Sequence, residues 1–196
     1  SALDYKFKWK ILTINNLNIE DYMKWIAEVP EFSNNEKRKA LAVVARSYAS
    51  FYTKTKYRKF PWKPYDWSDD PNVFQKYLWA WYEKRSPKWQ QALRDTKWEI
   101  LRYNWEILKA AFFSCSNWKT KTPSQAWWKS EYFDKVSSVY RSVNDDYWRD
   151  LKRYHLRLCG HWVGLSGAWA ETLGKMGWSY KKILYYYYQD VRIGKL

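Results

Sequence analysis

Six consecutive residues, Ala40-Leu-Ala-Val-Val-Ala45, carry no polar side chain, and the residues before them announce a helix. Ser33 with Glu36 three places on has the form of a capping box, and the pattern predicts a helix from Ser33 to about Tyr52. A helix that is apolar nearly all round has no face to give to water. The rest of the chain must therefore pack around it. At 196 residues the chain has the size of one domain, taken as 1–196, with room for two lobes and length enough to bury a substantial core.

The flanking segments supply what surrounds that helix. Trp9-Lys-Ile-Leu-Thr-Ile14 reads as a strand. Asn18 offers an N-cap to a helix with Ile19, Tyr22, Met23 and Ile26 on one face. That helix is expected to end near Glu28, because Val29 precedes Pro30 and is biased out of the helical region. From Tyr57 to Lys76 the chain is rich in Pro, Asp and Lys and reads as loop. Strands are expected at Glu99 to Tyr103 and at Glu106 to Phe113, joined at Asn104-Trp105. Helices follow from Ser166 to about Met176, stopped at Gly177, and from Tyr180 to Tyr188 behind a Ser179 cap, before a short strand from Val191 to Ile193. Helices and strands in separate runs predict an α+β fold, with a β-rich core and several helices, rather than a doubly wound sheet.

Charge narrows the partners. Lys and Arg outnumber Asp and Glu by 35 to 20, a formal net charge of +15. That balance suits a polyanion, whether nucleic acid, an acidic membrane or an anionic cell wall, although it also serves plain solubility. No run of 18 apolar residues is present, so no transmembrane segment is expected. The first ten residues lack a hydrophobic signal core and the chain does not begin with Met, as in a trimmed segment whose address has been removed. Cys115 and Cys159 form no Cys-x-x-Cys pair and fit either free thiols or one disulfide.

Three stretches together resemble the SpoIID/LytB family of bacterial cell-wall proteins. Ile19-Glu-Asp-Tyr-Met-Lys-Trp-Ile-Ala-Glu28-Val-Pro30 is similar to a family segment that ends in Glu-Met-Pro, which selects Glu28 rather than Glu31. Lys39-Ala-Leu-Ala-Val-Val-Ala-Arg46-Ser-Tyr48-Ala is similar to the family's Lys-Ala-Gln-Ala … Ala-Arg-Thr-Tyr-Ala helix. Gly160-His161-Trp-Val-Gly164-Leu-Ser166-Gly, followed by Gly177-Trp-Ser179-Tyr, is similar to its Gly-His-Gly-Val-Gly-Met-Ser-Gln … Gly-x-Ser-Tyr pattern. Gln75-Lys-Tyr77 and the stretch from Ala92 to Thr120 follow in register between them. The family's Gln is Gly167 here, and the segment between Tyr140 and Gly160 is short. Some members carry a Cys/His metal cluster where this chain has Asp66 to Gln75, which holds neither residue, so no metal and no cofactor are expected.

The resemblance implies a lytic transglycosylase acting on peptidoglycan glycan strands outside the cytoplasm, at the cell wall or cell surface. Such an enzyme needs only one carboxyl group, acid to the leaving oxygen and then base to the attacking C6 hydroxyl, unlike glycosidases with paired carboxylates. Glu28 is the candidate. In the last turn of its helix the dipole would oppose its ionisation, and Ile26 and Val29 would add desolvation. Lys39 and Arg46, seven apart on one helix face, are candidates to bind acidic or amide groups of the glycan; Tyr48 reads as core. His161 and Ser166 complete the candidate substrate-binding set, His161 as a catalytic group or as the holder of a tight turn, Ser166 chiefly as an N-cap. A Ser–His hydrolase fits poorly, since no acid is placed to orient the histidine. The rival reading is a LytB-like amidase enhancer, which binds the wall and a cell-wall amidase without chemistry of its own. A single-strand nucleic-acid binder could use the same basic and aromatic residues, but no RNP-type motif is present and nucleic acid is disfavoured.

Sixteen Trp against six Gly is an odd composition. Trp9, Trp25, Trp98, Trp105, Trp118, Trp128, Trp162 and Trp169 all stand where the family pattern has Gly, with Trp67, Trp79 and Trp81 similar, whereas Trp89, Trp127 and Trp178 fit as true aromatics. Asn104-Trp105 would be a good type I′ turn as Asn-Gly and is a poor one as written. The expectation is that UGA codons meaning glycine have been rendered as tryptophan.

Overall fold

The computed structural model describes residues 2–7, 10–70, 73–116, 118–127, 130–145 and 160–196. Its centre is the apolar helix, α2 (Asn35–Lys54), about 30 Å long at 1.5 Å per residue. Every residue from Ala40 to Ala45 is at most 2% exposed. Five elements enclose it: α1 (Ile19–Lys24), α4 (Pro87–Asp95), β3 (Glu99–Tyr103), α7 (Gly167–Lys175) and α8 (Tyr180–Tyr187). The fold is α+β as expected, but the middle of the core is this helix, with short strands around it. Ser47 ties strand to helix: its hydroxyl donates to the Val43 carbonyl and accepts from the Leu101 amide at 2.8 Å.

Helix α2 starts one residue later than the capping-box reading. Asn34 is the N-cap, its side chain accepting from the Glu36 amide at 2.8 Å. Glu36 does not reach back. Its carboxylate accepts from the Tyr180 amide at 2.7 Å instead, at the first turn of α8, so a tertiary contact displaced a local one.

Helix α1 also stops earlier than expected, at Lys24. Side chains of α4 take the carbonyls that a longer helix would have used: the Trp89 indole donates to Met23 at 2.9 Å and Gln90 to Lys24 at 2.8 Å. Beyond it the chain is extended. Ile26 pairs with Tyr77 in an antiparallel bridge, flanked by Ala27 N to Lys76 O and Leu78 N to Trp25 O, both 2.8 Å. Glu28 therefore lies outside the helix, and the dipole expected to act on it is not at its side.

The strands are short. β1 (Ala2–Phe7) and β2 (Lys10–Asn15) form an antiparallel hairpin, of which sequence reading found only the second arm. β3 lies between β4 (Glu106–Ile107) and β9 (Arg192–Lys195), antiparallel to both. Asn104 and Trp105 make the β3–β4 turn with φ of 48° and 67°, the left-handed pair of a type I′ turn. The expected strand from Glu106 to Phe113 is broken after Ile107; β5 (Phe112–Phe113) instead pairs in parallel with β8 (Leu165–Ser166). β6 (Trp118–Lys119) pairs with β7 (Asn144–Asp145). Helices α3 (Trp81–Arg85), α5 (Pro123–Ala126) and α6 (Glu131–Lys135) and also α4 were not foreseen. The segment read as loop from Tyr57 to Lys76 holds no helix or strand among its described residues. Cys115 is buried, and Cys159 lies outside the described residues. No helix among the described residues is long and apolar enough to cross a membrane.

Candidate active site

The bridge between Ile26 and Tyr77 sets Glu28 against the backbone of Lys76, whose amide donates to Glu28 Oε1 at 2.6 Å. Burial pushes the Glu28 carboxyl above the ordinary carboxylate range, and the Lys76 amide and ammonium only partly oppose this. Desolvation thus does what the helix dipole was expected to help do. The neighbour Glu31 has a different task. Its two carboxylate oxygens accept from the Lys88 and Trp89 amides at 2.5 and 3.3 Å, capping α4. Of the two acids, Glu31 is bonded to a helix start and Glu28 to the single amide of Lys76.

Aromatic side chains form the wall beside it. Tyr22 is 3% exposed, and its hydroxyl donates to Gln75 Oε1 at 2.9 Å. Gln75 in turn donates to the Ala45 carbonyl at 3.1 Å, fastening the 74–78 segment to α2. Burial, and then the nearby Glu28 charge, hold the phenols of both Tyr22 and Tyr48 in their neutral forms. Tyr48 and Tyr52, one helical turn apart on α2, pack edge to face with ring centroids 5.3 Å apart.

The row continues on the other half of the chain. Lys109 Nζ sits 5.4 Å from the Tyr52 ring centroid and 4.8 Å from that of Phe133. Burial, reinforced by Lys59, pulls its ammonium down to about 8. His161 is near enough for Lys109 to act on its charge; burial first and Lys109 with it bring the imidazole down to about 4, so it is neutral near pH 7. His161 Nδ1 accepts from the Val163 amide at 3.1 Å, and the ring also hydrogen-bonds the Phe112 backbone, which assigns the proton to Nε2. The ring packs on Trp127, centroids 4.7 Å apart. Nδ1 thus holds backbone of the turn from Gly160 to Gly164. That turn has little slack: Gly164 has φ of 77°, and a Cβ there would lie 1.9 Å from the Ala111 carbonyl oxygen.

The other expected site residues lie elsewhere. Arg46 is fully buried, with Nε and a terminal nitrogen on the two Glu20 oxygens at 2.7 and 3.2 Å and a further bond to the Glu99 carbonyl at 3.0 Å. It clasps α1 and β3 to α2 and is out of reach of a surface ligand. Lys39 pairs with Asp95 at 3.1 Å and Glu36 at 3.6 Å. At 100° per residue, it lies about 180° around α2 from Tyr48, away from Glu28. Ser166 is buried and caps α7, accepting from the Trp169 amide at 3.3 Å. Sequence reading passed over Tyr52 and Lys109, read Tyr48 as core, and gave Gln75 no role at the site. The four-residue spacing of the two tyrosines was the available signal; nothing local marks Lys109. Among the described residues, no cluster of His, Cys, Asp and Glu could hold a metal ion.

No curated protein matches the chain. The family model described as SpoIID, Stage II sporulation protein, matches residues 8–103. That span contains Glu28, the 74–78 segment that holds it, and all of α2 with Tyr48 and Tyr52. Over those residues, just under half of the chain, the protein is similar to the SpoIID family.

Proposed function

We propose that the protein is a peptidoglycan lytic transglycosylase with Glu28 as its one acid/base, working extracytoplasmically on glycan strands. The observation that carries this reading is the desolvated carboxyl of Glu28, held by a single backbone amide and flanked by the phenols of Tyr22 and Tyr48. A raised pKa keeps a proton available for donation. In the reaction, Glu28 protonates the glycosidic oxygen as its bond to C1 of the muramic residue breaks. The C6 hydroxyl oxygen of that residue then bonds to C1, and its proton passes to the Glu28 carboxylate. The 1,6-anhydro ring closes, no water is consumed, and Glu28 ends protonated as it began.

The remaining residues of the row bind and position. Lys109, mostly charged below about pH 8, suits an acidic group on the glycan. The faces of Tyr48 and Tyr52 suit sugar rings, and His161 holds the turn that forms the far side. The test uses purified protein with glycan strands, with and without stem peptides, and examines products for anhydro ends. Anhydro products from the parent and none from Glu28→Gln are expected. An equally active Glu28→Gln protein would overturn the assignment, and an inert parent that stimulates a cell-wall amidase would establish the enhancer role instead.

A further inference from the structure

Among the described residues, seven other than glycine have left-handed backbone: Trp79, Trp98, Asn104, Trp105, Trp118, Trp162 and Asp190. Asn and Asp tolerate this conformation because their short side chains hydrogen-bond locally. A bulky aromatic does not, and a single one would be an outlier. Tryptophan makes up 16 of 196 residues, so by abundance it would take fewer than one of the seven places; it takes five.

We infer that the protein made in its source organism carries glycine at 79, 98, 105, 118 and 162, because UGA codons there are read as glycine. The backbone angles, 62°, 63°, 67°, 81° and 65°, are those glycine adopts freely. The side chains give few contacts in return, chiefly Lys121 over the Trp162 ring at 4.3 Å and Arg192 over that of Trp105 at 4.9 Å. Trp105 is 77% exposed, and Trp79, Trp98 and Trp118 are also exposed. The Trp162 indole nitrogen is buried with no hydrogen-bond partner among the described residues, an expense that a native side chain rarely carries. Trp89 is the contrast: it is fully buried, helical, and bonded through its indole to Met23. Two of the five flank the site, Trp162 beside His161 and Trp79 against the Tyr77 ring at 5.4 Å.

The codons test this independently of any enzymatic reading. The gene from the source organism should have UGA at the five positions and UGG at Trp89, and peptide masses of the native protein should give glycine at the five. UGG codons there, or tryptophan in those peptides, would overturn the inference. A second arm compares melting temperatures. The chain with all five Trp→Gly changes should melt above the tryptophan form, whereas Trp89→Gly should melt below it. A restored chain that melts lower than the tryptophan form would count against the inference as firmly as the codons.

Discussion

Glu28 combines two properties that usually oppose each other, partial burial and a titratable charge. Its raised folded pKa means that its contribution to stability is full at low pH and is lost as pH rises through that pKa, where the unfolded chain ionises more easily. Glu28→Gln removes this cost and can still accept from the Lys76 amide. The variant should lose about 10²-fold or more of activity, yet melt no lower than the parent at neutral pH. A substantial fall in melting temperature would mark Glu28 as structural. The same titration shapes the rate profile: kcat should fall as pH rises through the Glu28 pKa, and substrate binding should weaken further above about 8 as Lys109 loses its charge. Arg46 behaves in the opposite way. Arg46→Met would leave the half-buried Glu20 with only the Trp98 amide, a loss of up to about 3 kcal/mol read in denaturant unfolding, with no specific effect on glycan binding beyond the loss of folded protein.

At the scale of elements, the site depends on where helices stop. Glu31 caps α4, and α4 in turn ends α1 through Trp89 and Gln90, freeing residues 26–28 to run beside 76–78. Glu31→Ala should cost about 1 kcal/mol, the usual value of an N-cap, and keep most of the activity. This separates it from Glu28 in one assay: a Glu31 variant that is stable but inert would reverse the assignment of the two acids. The aromatic row needs two further elements, α2 for Tyr48 and Tyr52 and the Gly160–Gly164 turn for His161. That turn packs on Ala111 so closely that Gly164→Ala should abolish folding or lower the melting temperature sharply.

For the whole molecule, the net charge of +15 and pI near 9.6 bear on association rather than on fold. If the basic surface holds the protein to anionic wall polymer, sedimentation with isolated cell wall should weaken steeply with added salt, since exposed charges are screened within about 10 Å at 0.1 M. Binding that ignores salt would point instead to ring stacking on sugars. Preference for single-stranded DNA over cell wall would remove the extracytoplasmic placement.

The sequence by itself determined the central helix, because six apolar residues in a row leave no face for water, and it determined the caps at Asn18, Ser166 and Ser179, which bond within three residues of themselves. It also marked the turn at Asn104 through a short local pattern. Tertiary structure decided the rest. The end of α1 and the loss of the Ser33 capping box follow from partners more than 60 and 140 residues away, Trp89 and Tyr180. Arg46 looked like a ligand-binding charge because its partner, Glu20, is 26 residues distant and on another helix. Lys109 and His161 join Tyr52 only where the C-terminal half folds back on α2. Hydrogen bonds and desolvation act through space, so local pattern reveals them only when the partner is also a neighbour in sequence.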